Sequence, residues 1–398
     1  MRTGRHITGL DLGNYNSKVC IFNNGEPVAI SLKQGSFSIP TLIINCDGER
    51  QYGYQASMIS DSRKDHVAFE FLYYLQIKKM LTWKQRDAHS IIPSWSPIKT
   101  GDKVFYKLGH NDYLDLNDAV TNYVKYLLDC ASGYLSYGNT EILAVSVPIY
   151  HNYEIRDQLP QLFNGLSLSY SLFWEPEVGV LAHLYIQKKR QAKDYVLFCS
   201  YGSLSFDVAL VNTKQTIKIV KENDHYSVEY EQFGGKYNTK LIRRHLSSLY
   251  GNYKLKETST LQSIAERIKL AFYAEDEYYF DLQDIADDAP SCTLCMEEKD
   301  IRESLSESTE TRLKEMRGVL NGHSSADTEI VICGKEARSP IFKELVRSHF
   351  EEFEVTWYDY EEALCAMGAC LAQAHCNNSI GGLLKYKIEP LYRSEGTY

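Results

Sequence analysis

Gly9-Leu10-Asp11-Leu12-Gly13-Asn14-Tyr15-Asn16-Ser17-Lys18 is the stretch on which the fold turns. Apolar residues run into Asp-x-Gly and then into small polar ones, the pattern of a strand entering a tight turn. Such a turn can gather backbone N–H groups and side-chain oxygens around a phosphate, with the Asp facing a metal. An altered second copy stands at Val196-Leu197-Phe198-Cys199-Ser200-Tyr201-Gly202-Ser203-Leu204-Ser205-Phe206-Asp207-Val208. It keeps the strand-turn-strand shape and has lost the first carboxylate.

Outward from the first copy, residues 7–12, 18–22 and 27–31 read as short strands, with turns at Gly13-Asn14 and Asn23-Asn24-Gly25. Another strand is expected at 41–45, a helix over about 66–82 and a hairpin at Lys103–Tyr113. Leu116–Leu135 has helical spacing, and Ile142–Val147 is a buried strand that ends in Pro148. A helix near 152–163 precedes a strand, Trp174-Glu175-Pro176 and a helix to about 190. The pattern then restarts. Tyr195–Phe198, Phe206–Val211 and Ile217–Lys221 repeat the strand set, and helices are expected near 235–249 and 257–275. Ser304–Asn321 (helix), Glu329–Cys333 (strand), Pro340–His349 (helix), Val355-Thr356 (strand) and Glu361–His375 (helix) complete it. This is an internal duplication of a mixed α/β unit, with a phosphate-type turn heading each half. Ligands of such folds lie in the crevice where the strands end.

At 398 residues the chain exceeds one ordinary core, so two lobes are expected. A net charge of −9 without a long basic run gives nucleic-acid or anionic-membrane binding no electrostatic support. Met1-Arg2-Thr3-Gly4-Arg5-His6 leads directly into a strand, with no signal-type apolar segment, and a cytoplasmic location is expected. The ten cysteines are scattered through apolar patterns, as small hydrophobes would be. Cys292-Thr293-Leu294-Cys295 lacks the second ligand pair that zinc requires and reads as strand packing.

The duplicated layout and its motifs resemble the actin-like ATPase superfamily, and within it the nucleotide-binding domain of DnaK-type, seventy-kilodalton heat-shock chaperones. The similarity runs in order over residues 7–376. Gly9–Gly13 resembles the first phosphate loop. Val145-Ser146-Val147-Pro148-Ile149-Tyr150, with Arg156, resembles a Val-Pro-Ala-Tyr connecting segment and its arginine. Trp174-Glu175-Pro176 resembles Asn-Glu-Pro, and Phe233-Gly234-Gly235 resembles Leu-Gly-Gly. Glu266-Arg267-Ile268-Lys269 is similar to the helix beside adenosine, Cys333-Gly334 to the adenosine turn, and Glu362–Ala369 to the closing helix. The resemblance implies a duplicated actin-like (ribonuclease H-like) fold with two lobes around a nucleotide cleft. Residues 1–188 would form lobe I, completed by a helix at 361–376, residues 189–360 lobe II, and 377–398 a linker-like tail. With only eight residues after Pro390, no peptide-binding domain is expected to follow.

For the site, the resemblance implies catalytic roles for Asp11, Lys78, Glu175 and Asp207, with Asp11 facing magnesium. ATP or ADP would contact Gly13, Asn14, Tyr15, Gly202, Ser203, Ser205, Gly234, Gly235, Glu266, Lys269, Tyr273, Gly334 and Arg338. Departures concentrate at the chemistry. Asn14 and Tyr15 replace threonines, Ser200 replaces an Asp, and Ser203 and Leu204 replace glycines, so that a β-carbon would push the backbone off a phosphate. Tyr273 either stacks on adenine or fills the cleft. Ser171 and Trp174 replace an Arg and an Asn that engage J-domain partners. The expectation is a pseudo-ATPase, a regulatory or scaffold subunit of a chaperone assembly, with the ribosome and a J-domain partner as the setting that the family analogy offers. The alternatives are a slow ATP hydrolase and a nucleotide-exchange factor.

Overall fold

The computed structural model describes residues 6–33, 35–60, 67–77, 97–134, 138–149, 153–188, 193–223, 234–359, 363–377 and 386–394. Lys78, Tyr150, Phe233 and Glu362 lie outside them, as does the side chain of Arg156.

Two sheets carry the molecule. The first runs in the order Ser169–Trp174, Ile142–Val147, Ile7–Asp11, Asn16–Asn23, Glu26–Ala29. The second runs Glu354–Trp357, Thr328–Cys333, Tyr195–Tyr201, Phe206–Asn212, Lys218–Glu222. In each, the last three strands form an antiparallel meander, and the first two lie parallel to the strand that opens it. The duplication read from the two turns is thus a duplication of topology. Ile142–Val147 and Thr328–Cys333 are buried at every residue, as expected of parallel strands covered on both faces.

The helices Glu175–Ile186 and Leu364–Cys376 join the sheets. Both are apolar around most of their circumference, so neither can lie on a surface. They cross at Gly368, where a Cβ would stand 1.9 Å from the Val178 carbonyl oxygen, and a Cβ on Gly9 would stand 2.2 Å from that of Ala366. Only glycine permits these approaches. The second of the two helices therefore rests directly on the strand that carries Asp11.

Two elements differ from expectation. The segment after residue 66 is a strand, Val67–Phe69, paired with Leu42–Cys46, and only then a helix, Phe71–Ile77. Between them Glu70 takes φ +53°, a left-handed conformation unusual for its type. The helix expected from Ser304 begins six residues earlier, at Glu298, because Glu297 and Asp300 form a capping box. Cys292 and Cys295 are free and exposed, on the hairpin Glu277–Asp281/Thr293–Glu297.

The described part of the tail bonds to both halves of the chain. Lys387 N donates to Gln215 O, and its carbonyl accepts from Ile217 N at 2.8 Å. Further on, Tyr392–Arg393 adds as an antiparallel edge strand beside Ser169–Trp174, with the Tyr392 ring stacked on Tyr170.

Candidate functional site

Strand pairing builds the floor of the cleft. The register of the first hairpin sets Lys18 directly opposite Asp11, and the ammonium reaches the Asp11 carboxylate at 3.4 Å. Ser146 Oγ, from the neighbouring parallel strand, donates to the other Asp11 oxygen at 3.5 Å. Glu175 opens the helix Glu175–Ile186 and is buried. Burial, and then the Asp11 charge, push its carboxyl up to about 7, against hydrogen bonding from Ser200 and the attraction of Lys18. Ser200 thus stands beside Glu175. Asp207 is buried too, and burial together with the Glu175 charge raises it well above the carboxylate range. Ser205 Oγ donates to its Oδ2 at 2.6 Å, while its Oδ1 finds no partner among the described residues.

The phosphate-type turns are occupied by the protein itself. Asn14 Oδ1 accepts from Tyr73 N at 2.8 Å, satisfying an N–H in the first turn of the helix Phe71–Ile77. Tyr15 donates its hydroxyl to Glu70 at 2.7 Å. Two-fifths of Tyr15 is exposed, but the phenol oxygen is turned inward, and burial and Glu70 hold it well above the ordinary tyrosine value. Glu70 also accepts from Lys236 at 2.9 Å, so one buried carboxylate binds groups from both halves of the chain. In the second turn, Gly202 N donates to Ser205 O, Gly235 N to Gly202 O, and Lys236 N to Ser203 O at 2.7 Å. The first N–H groups of the helix Gly235–Leu249, which could have met an anion, are thus capped by carbonyls of the turn. Gly234 is required here, because its Cβ would stand 2.3 Å from the Leu204 carbonyl carbon.

On the far wall, Lys269 donates to Glu266 and Glu336, each at 2.9 Å, and to Gly235 O at 3.1 Å. Burial alone would lower Lys269, but the charges of Glu336 and Glu266 more than offset it and raise the ammonium. Burial opposes the charged form of Glu266 as well, yet Lys269 and Thr239 hold its carboxyl below the usual range. Tyr273 donates to Glu336 at 2.5 Å and is held up by burial and by that carboxylate. Gly334 takes φ +103° against the Tyr201 backbone. Arg338 is exposed and lines, with Tyr273, Lys343 and Arg347, an open cavity of about 640 Å³.

The structure therefore brings Asp11, Glu175 and Asp207 to one floor and Gly235, Glu266, Lys269 and Tyr273 to one wall, while Lys78 lies outside the described residues. Sequence reasoning did not single out Lys18, Glu70, Lys236 or Glu336 as site residues. The hairpin register around Gly13-Asn14 could have revealed Lys18 opposite Asp11. Glu70 and Lys236, 166 residues apart, leave no local signal.

Comparison with known proteins shows the family to which the chain belongs. The family model described as Hsp70 protein matches residues 7–379. Chaperone protein dnaK1 of Prochlorococcus marinus subsp. pastoris is 23% identical over 410 residues, covering 97% of this chain and 58% of that protein. A heat shock 70 kDa protein of Trichophyton rubrum is 24% identical over 274 residues, covering 66% of this chain and 40% of its own length. The chain belongs to the Hsp70 family, and its two sheets and central helices form the actin-like ATPase fold. It spans less than two thirds of the length of either relative. Among the described residues no helix is long and apolar enough to cross a membrane.

Proposed function

We propose that this chain is an Hsp70-type nucleotide-cleft domain that does not hydrolyse ATP and serves as a regulatory or scaffold subunit of a chaperone assembly. The observation that carries this is the Lys18 ammonium on Asp11. In a cleft of this kind magnesium would neutralise phosphate charge as a Lewis acid. The residues present do not fit it. Asp11 already has a cation, burial and the Glu175 charge oppose the charged form of Asp207, and Ser200 brings no charge. Among the described residues no group of three or more His, Cys, Asp or Glu is arranged to hold a metal ion. ATP or ADP would have to bind without the usual metal bridge.

For the setting we propose a J-domain co-chaperone, another chaperone or the ribosome as partner, in the cytoplasm; membership of a family that works with co-chaperones and clients supports this reading. The rival reading is a slow ATPase built on Asp11, Glu175 and Asp207 with Lys78. The near-neutral titration of Glu175 favours it, since a general base works best when poised near the operating pH. Single-turnover assay of labelled ATP with magnesium separates the two. No phosphate release above the uncatalysed rate is expected, and release that disappears in Asp11→Asn overturns the proposal.

A further inference from the structure

We propose that Glu336 is a built-in ligand whose carboxylate takes the place of a nucleoside on the second-half wall of the cleft, so that adenosine is excluded unless Glu336 is displaced. This rests on the reading of the crevice as a nucleotide-type cleft and adds the residue that decides what the crevice admits.

Glu336 lies in the short turn Lys335–Arg338, launched by Gly334. A Cβ at Gly334 would stand 2.3 Å from the Tyr201 carbonyl oxygen, so the start of the turn is fixed against the sheet. From there Glu336 points inward and is 1% exposed. Its two oxygens accept from Lys269 at 2.9 Å and Tyr273 at 2.5 Å. The carboxyl carbon packs on Gly235, where a Cβ would lie 1.9 Å from it. No ligand atom can enter between the glycine and the carboxylate. Lys269 and Tyr273, which would otherwise face a ligand on this wall, are turned to Glu336.

Energetics keep it there. A buried carboxylate is costly alone, but two short charge-assisted hydrogen bonds satisfy it. A nucleoside would have to expel this charge and re-partner Lys269 and Tyr273, with only neutral hydroxyls and ring nitrogens to offer. The bulk of the turn therefore acts through one side chain, and shortening that side chain should open the wall without disturbing the phosphate-type turns. The open cavity beside Arg338 shares Tyr273 with this wall, and Glu336 is not among its lining residues.

The test is calorimetric titration of the full chain with adenosine, which carries no phosphate, so exclusion can fail while hydrolysis remains absent. Wild type is expected to show no saturable binding up to about 1 mM. Glu336→Ser is expected to gain at least about tenfold in adenosine affinity. Glu336→Gln, which keeps the volume and the acceptor toward Lys269, should remain closed. Saturation of wild type below about 10 μM, or a folded Glu336→Ser without any gain, overturns the proposal. Should Glu336→Ser lose its melting transition, Tyr273→Phe is the second variant. It removes one of the two bonds with little change of volume, weak adenosine binding is expected, and silence like that of wild type contradicts the assignment.

Discussion

Glu175 shows how one buried acid fixes a pH dependence. Its folded value near 7, set by burial and by Asp11, exceeds its ordinary 4.5. The folded state therefore binds the proton more tightly than the unfolded chain does. The associated stability is fully present below about pH 4.5 and is lost as pH rises through about 7. Glu175→Gln, neutral at every pH, should be more stable than wild type by about 1–3 kcal/mol at pH 8, with no advantage at pH 4. Urea unfolding at the two pH values checks this, and a pH-independent difference contradicts it. Leu204, read from the sequence as the side chain that spoils a phosphate turn, proves to be only part of the obstacle. The helix N–H groups beyond it are already bound to Gly202 and Ser203 carbonyls, so Leu204→Gly alone should not create a phosphate site.

At the scale of elements, Glu70 and the tail add to the central helices in tying the halves of the chain together. Glu70, in its strained conformation, holds Tyr15 from the first turn and Lys236 from the first turn of the helix Gly235–Leu249. A cation at a helix N-terminus is unfavourable for the macrodipole, so Lys236 needs its carboxylate. Glu70→Gln should cost about 1–3 kcal/mol and speed amide exchange at Gly235 and Lys236, and unchanged exchange would count against the latch. The tail is the second contact. Leu391 N donates to Leu172 O and Ser394 N to Tyr170 O, which covers the edge of the first sheet. Leu391→Pro removes one donor. It should expose the 170–172 edge to faster hydrogen exchange with a loss of only about 1 kcal/mol, whereas protection equal to wild type would mean that the edge is covered by something else.

The whole molecule was legible from sequence to the degree that its signals were local. Paired turns, continuous apolar runs such as Ile142–Val147, and Pro or Gly punctuation each act within a few residues, and the sheet order follows from the duplication. The helix Gly235–Leu249 and the helix Pro340–His349 begin and end where the sequence pattern put them. Val67–Phe69 was hidden because three apolar residues fit a strand or a helix equally well until their pairing partner is known. The chemistry of the cleft was hidden for a different reason. Asn14, Tyr15, Lys269 and Tyr273 were identified as residues facing the crevice, but their partners Tyr73, Glu70 and Glu336 come from distant segments. A substitution read singly looks like decay of a site. Read with its partner, each fills the space or takes the hydrogen bond that a ligand would have used.

The central claim is that the cleft of this Hsp70-family chain is satisfied by its own side chains, with Lys18 on Asp11 in the position of the metal charge. Calorimetric titration with ATP, with and without magnesium, tests it most directly. The expected result is no magnesium-dependent heat from a chain that melts cooperatively. Magnesium-dependent binding tighter than about 10 μM, roughly 7 kcal/mol, would contradict the account, because it would require Asp11 to release Lys18 to a metal-bound nucleotide.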